Sequence, residues 1–201
     1  MTDSQYSIQQ VDNLFQFFRS ELLRAFERLG LSTADETETY LVHLLENFVR
    51  LDEQKARDVG FEHPAAFIFC EALSSAGDRR IEAYRRLGDA SLFSCGFFEE
   101  HLGRRNSLVP VEYYRNMGRT AYSSLQNLME FKAPGGAFHI IYDELAQKFD
   151  TVVEAFRFLA NRRETPSCSH LLEKWQKSGE IDAEAWSKIG LFPGKNGSGE
   201  A

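Results

Sequence analysis

Residues 90–98, Ala-Ser-Leu-Phe-Ser-Cys-Gly-Phe-Phe, run without a charge between Asp89 and the pair Glu99–Glu100. No proline interrupts them, and their spacing is not that of a half-buried strand. Wound as a helix at about 100° per residue, the run points large apolar side chains in every direction. A helix that is apolar all round is covered by other helices or by lipid. A membrane span needs about 20 apolar residues, and this run has nine. The segment therefore predicts the central helix of an all-α domain, with neighbours on most of its sides.

The flanking sequence supplies those neighbours. Helical periodicity is pronounced and strand alternation is absent. The first helix is expected over residues 8–29, with the stripe Val11, Leu14, Phe15, Phe18, Leu22, Phe26 and Leu29, and with Gly30 as its stop. Thr33 followed by Glu36 reads as a capping box for a second helix that buries Leu41, Leu44, Leu45 and Phe48. Pro64 suits the first turn of a third helix carrying Phe67, Ile68 and Leu73. Asp78 caps the next helix. Gly88 either breaks that helix before the central run or is absorbed into it, and continuity is favoured because one glycine costs only about 1 kcal/mol.

Two further helices, at 111–131 and 138–159, bury Tyr114, Met117, Gly118, Ala121, Leu125 and Leu128, and then Phe138, Ile141, Leu145, Phe149, Val152, Phe156 and Leu159. The small residues Gly118 and Ala121 mark a close helix crossing. Short helices near 170–177 and 183–189 carry Trp175 and Trp186. The expectation is thus a single-domain multi-helix bundle of seven to nine helices over residues 8–192. A flexible N-terminus (1–7) and a disordered, glycine-rich tail (193–201) flank it.

The combination Arg86-Leu87-Gly88-Asp89, the run ending Gly96-Phe97-Phe98, Tyr113-Tyr114 with Gly118, and Leu171-Leu172-Glu173-Lys174-Trp175 resembles an uncharacterised bacterial helical family. The resemblance covers most of residues 80–192. It implies an all-helical fold and carries over neither an activity nor a site.

Composition narrows the partners. The net charge of −7 argues against a nucleic-acid binder. The opening residues Met1-Thr2-Asp3-Ser4-Gln5 lack the basic and apolar parts of a secretory signal. Cys70, Cys95 and Cys168 form no CxxC, so a reducing cytoplasm is the expected setting, with no membrane anchor. Residues 76–120 are the positive part of the chain, with eight arginines against six carboxylates. Arg79, Arg80, Arg85, Arg86, Arg104 and Arg105 stand there as doublets. They read either as a solvated face with local ion pairs or as a surface for an acidic protein partner.

Catalytic and metal signatures are missing. None of the five histidines follows a glutamate by three residues, and there is no nucleophile elbow, Walker A loop or dinucleotide fingerprint. His43 with Glu46 and His139 with Asp143 fall towards the outer faces of their helices, so no metal and no cofactor is expected. Around the central helix, Asp89 and Glu99 are carboxylates in an apolar setting that require partners, with Tyr113, Arg115, Arg119 and Tyr122 as candidates. The plain reading makes Asp89 a helix cap and Glu99 a wet helix end. The sharper one is a ligand pocket beside Gly96, Gly118 and Ala121, drawing on Asp89, Cys95, Glu99, Tyr114 and Tyr122. Phe17 and Leu23 widen the apolar face of the first helix and complete either the core or a homodimer seam. The leading expectation is a non-enzymatic protein-interaction or self-associating module. The alternative is a small-molecule binder or enzyme that uses that pocket.

Overall fold

The computed structural model describes residues 3–49, 65–97 and 110–160, with backbone alone for 3–13 and 49. These residues form six helices: α1 (Asp3–Leu29), α2 (Asp35–Val49), α3 (Ala65–Ser74), α4 (Gly77–Phe97), α5 (Val111–Lys132) and α6 (Ala137–Ala160). No strand occurs among the described residues. The expected count of seven to nine is higher than these six. Residues 77–97 are one helix rather than two, and the short helices expected at 170–177 and 183–189 lie outside the described residues, as does the 193–201 tail.

Gly88 does not break α4 because its missing Cβ is used. A Cβ there would come within 2.8 Å of the Tyr122 ring, so the glycine admits that ring against the helix. Every residue of α4 from Leu87 to Phe93 is buried. The helix packs along α5, α6 and α3, while α1 and α2 pair with each other and lie on α6. From the far side α2 reaches α4 through Phe48, whose ring stacks on Phe93 at 3.8 Å. Phe93 stacks on Phe97 at 4.5 Å, and Phe97 meets Phe156 of α6 at 5.8 Å. Each such ring removed from water contributes about 1.5–3 kcal/mol.

Two more glycines work as Gly88 does. A Cβ at Gly96 would overlap the Cβ of Phe156, and one at Gly118 would overlap the ring of Phe149 and stand 3.0 Å from Ser91 Cβ. Gly118 and Ala121 are both buried at this crossing of α5 with α4 and α6. Close approach here is a packing requirement, since any added atom must displace an aromatic ring or a helix.

The helix ends show where local signals prevail and where they do not. After α1, Gly30 takes φ 63°, Leu31 N–H donates to Phe26 at 2.9 Å and Gly30 N–H to Glu27 at 3.2 Å. That pair of bonds is a Schellman motif, as the glycine implied. The Thr33–Glu36 capping box does not form. Ala34 stands at the N-cap, and the Thr33 hydroxyl is buried without a hydrogen-bond partner among the described residues. The cap comes from α6 instead. Glu144 accepts the Ala34 N–H at 2.9 Å, and Lys148 holds that carboxylate at 2.6 Å while also donating to the Ser32 carbonyl. Replacing Glu144 with Ala is expected to lower stability by about 1 kcal/mol, the usual worth of an N-cap. Urea unfolding measures it, and an unchanged midpoint would show that the α2 terminus is indifferent to this carboxylate.

On α3 the buried side is Ala65, Ile68 and Ala72, whereas Phe67 and Leu73 face outward. Phe17 and Leu23 on α1 are half-exposed, beside the buried Leu14, Phe18, Leu22, Ala25 and Phe26. Among the described residues no helix is long and apolar enough to cross a membrane.

Candidate functional site

Asp89 lies in the middle of α4 and is 5% exposed. It is not a helix cap, because α4 begins twelve residues earlier at Gly77. Two phenols converge on one of its oxygens. Tyr40 of α2 donates to Oδ1 at 2.6 Å, and Tyr122 of α5 donates to the same atom at 2.8 Å. Tyr142 of α6 closes the cluster, stacked on Tyr122 at 6.2 Å and edge-on to Tyr40 at 6.0 Å. Gly88 makes the arrangement possible, since the Tyr122 ring crosses α4 where a side chain would otherwise stand.

The second oxygen is served less well. Arg85 Nη1 is 3.6 Å from Oδ2, beyond hydrogen-bonding distance. The rest of its fork goes to Glu82, with Nε at 3.1 Å and Nη2 at 2.7 Å. Burial pushes the Asp89 carboxyl up to about 6, and the Tyr40 hydrogen bond, the Arg85 charge and the Tyr122 hydrogen bond offset only part of that rise. Burial and the charge of Asp89 hold the Tyr40 and Tyr122 hydroxyls well above the usual phenol range. Both phenols are therefore fixed neutral donors, while Asp89 can take up a proton close to neutral pH. Chemically the cluster is a polar joint that ties α2, α4 and α5 through one carboxylate.

Of the five pocket candidates, Asp89 and Tyr122 do meet. Cys95 is fully buried, and Tyr114 is part-buried against Tyr113, with rings 5.6 Å apart. Glu99 lies outside the described residues. The room beside Gly96 and Gly118 is taken by Phe156 and Phe149, side chains of this chain. Of the other partners foreseen for the carboxylates, Arg115 and Arg119 turn to α6. Arg115 pairs with Asp150 at 3.0 Å, and Arg119 donates to both Asp150 oxygens, at 2.7 and 2.6 Å.

The arginine face is largely committed to the fold itself. Arg80 donates to the Ser75 carbonyl at 2.7 Å and to the Leu73 carbonyl at 3.4 Å, closing the end of α3. Arg86 bonds Glu71 of α3 at 2.6 Å, and Arg85 serves Glu82 and Asp89. Arg79 is exposed, and Arg104 and Arg105 lie outside the described residues. Such pairing leaves less positive field for an acidic partner than the doublets imply, because the guanidinium groups of Arg80, Arg85 and Arg86 each have an oxygen beside them.

Glu46 departs from the outward placement its phase suggested. It is buried, with His43 Nδ1 at 2.9 Å. No group of three or more His, Cys, Asp or Glu side chains that could hold a metal occurs among the described residues.

Sequence reasoning missed Tyr40 and Tyr142. The signal was present, since Tyr40 lies four residues before Leu44, and Tyr142 lies four after Phe138 and three before Leu145. Both belong to the apolar stripes already drawn. Compared with protein-family models, curated proteins and solved structures, the chain shows no significant match.

Proposed function

We propose that the chain is a non-enzymatic protein-interaction module that presents the tip of its α5–α6 hairpin to a protein partner. The exposure of Phe131 carries this reading. It is 90% exposed at the end of α5, and Phe138, 55% exposed, stands across the Ala-Pro-Gly-Gly turn at the start of α6. Lys132 pairs with Asp78 at 2.6 Å, which places this tip beside the α3–α4 junction, where Leu73 is exposed as well. Isolated apolar residues are ordinary on any surface, but several large ones at one end of a bundle are the usual mark of a contact site. Phe131, the more exposed of the two rings, contributes little to the fold, whereas Phe138 also stacks on Tyr142 at 5.8 Å. The reading rests on these rings rather than on the arginine doublets.

The test is a Phe131→Ser, Phe138→Ser double variant. The exposed Phe131 substitution changes stability by only about 0.5 kcal/mol, and thermal unfolding checks that the double variant, which also loses the Phe138–Tyr142 stacking, retains the fold. Quantitative affinity purification from the source cells is expected to lose specific partners with the variant, while sedimentation velocity reports self-association. Loss of a concentration-dependent dimer in the variant would identify the partner as a second copy. The same partners at the same yield, together with unchanged sedimentation, would overturn the proposal.

A further inference from the structure

We propose that the outer face of α3 is the seam of a symmetric homodimer, in which α3 packs antiparallel against α3 of a second copy with Cys70 on the twofold axis. This goes beyond the hairpin-tip reading and does not depend on it.

Opposite its buried side, α3 exposes Ala66, Phe67, Cys70, Leu73 and Ser74, with Phe67 68% and Leu73 55% exposed. Glu71 is the one charged residue of the helix, at the edge of this face, and Arg86 holds its carboxylate at 2.6 Å. The Ser74 hydroxyl donates to the Cys70 carbonyl at 2.8 Å, so it brings no unsatisfied polar group to a contact. A helix that is apolar on both sides is stable when both are covered. The fold covers only the inner side, where Ala65, Ile68 and Ala72 are buried.

The occupant is a second copy because the face fits itself. In helical geometry Phe67 lies about 60° to one side of Cys70 and about 4.5 Å before it, and Leu73 lies as far to the other side and as far after it. Ala66 and Ser74 take the two remaining corners, about 40° off and about 6 Å away. Large and small side chains therefore alternate around Cys70. Turned about a twofold axis at Cys70, a second α3 sets its Ser74 opposite Phe67 and its Ala66 opposite Leu73, while Cys70 meets Cys70. Each bulky side chain enters the gap left by a small one, which is how helix ridges fill grooves. An isologous contact demands this reciprocity, and an unrelated partner does not. The two Glu71 carboxylates come to the same edge, each already paired with its own Arg86, so no bare like charges oppose the contact. The seam is short. Ten residues of helix cover less than the about 800 Å² per partner of a standard stable interface, so the dimer is reversible and concentration-dependent.

The full-length chain carrying Cys168→Ser tests the seam, because its remaining thiols are the exposed Cys70 and the buried Cys95. Sedimentation velocity is expected to show a dimer that grows with concentration, and mild copper–phenanthroline oxidation is expected to link it through Cys70. Ala66→Leu sets bulk opposite Leu73 of the second copy and is expected to slow disulfide-dimer formation about tenfold. Adding Leu73→Ala to that variant exchanges large for small across the seam and is expected to restore the original rate. Both positions are exposed, so the monomer fold is retained. A monomer at every concentration, a linking rate indifferent to Ala66→Leu, or a double variant no faster than Ala66→Leu alone would overturn the proposal. Phe131 and Phe138 stay in place throughout, so partner capture by the hairpin tip is read separately.

Discussion

Gly118→Leu is expected to lower the unfolding free energy by about 3 kcal/mol, the upper part of the range for overpacked cores. The added Cβ alone would overlap Cζ and Cε2 of Phe149 and press on Ser91 Cβ. Phe149 is fully buried, so its ring has no empty space to enter, and α5 or α6 must shift. Replacing a helical glycine regains at most about 1 kcal/mol of propensity, which is too little to cancel the clash. Urea unfolding measures the loss. A double-mutant cycle with Phe149→Ala assigns it, because removing the ring frees the space that leucine needs. The two substitutions together are expected to cost clearly less than the sum of their separate effects. Strict additivity, or an unchanged midpoint for Gly118→Leu, would show that the α4–α5–α6 crossing is not as tight as described.

The second large effect is on the pH dependence of global stability. Asp89 has a folded value of about 6 against an ordinary 3.8. A group raised in the folded state contributes stability that is fully present below the unfolded value and is lost as pH rises through the folded one. Between pH 4 and pH 7 this single carboxyl is expected to remove about 2 kcal/mol. The sign is opposite to that of the ion-paired carboxylates. Asp150, for example, is held low because hydrogen bonds and charge from Arg119 and Arg115 outweigh its burial, so it gains stability as pH rises from the acid side. Denaturant unfolding of wild type and Asp89→Asn at several pH values isolates the Asp89 contribution as a difference. That difference is expected to move in favour of the asparagine variant by about 2 kcal/mol from pH 4 to pH 7. A constant difference would mean that Asp89 titrates as an ordinary aspartate.

Particular residues show how far the sequence could be read. The middle of the 138–159 stripe, Ile141, Leu145, Phe149, Val152 and Phe156, is buried on α6 because a repeat of three or four residues needs no knowledge of a partner helix, while its first member, Phe138, is exposed. Gly118 and Ala121 were legible as a close crossing because small side chains in an apolar stripe have few other uses in a helix. Tyr122 was legible as a partner for a carboxylate near the central helix, since a phenol in such a stripe carries a donor that must be satisfied. Thr33, Glu46 and Arg80 were not legible. Thr33 has the chemistry of a cap, yet Glu144 takes the amide at that end. Glu46 lies away from the main stripe, yet it is buried beside His43. Arg80 belongs to a run that looks like a charged surface, yet it closes the end of α3. At Thr33 a group from a distant part of the chain overrode the local preference, at Glu46 a second packed face did, and Arg80 folds back on carbonyls five and seven residues before it.

The sequence by itself determined the helices and the burial of the central one. Both follow from neighbours along the chain: a 3.6-residue period, a stop at Gly30, and a charge-free run too short for a membrane. Tertiary structure alone decided what meets what. Tyr40 and Tyr122 come to Asp89 across 49 and 33 residues, and Glu144 comes to Ala34 across 110. Those meetings depend on the rotation and crossing of several helices at once. Rotation is set jointly by all the side chains packed between them, with Gly88, Gly96 and Gly118 fitted to Tyr122, Phe156 and Phe149. A periodic pattern specifies which face of a helix is buried. It leaves open which helix covers that face and at what height, and the Asp89 joint depends on both.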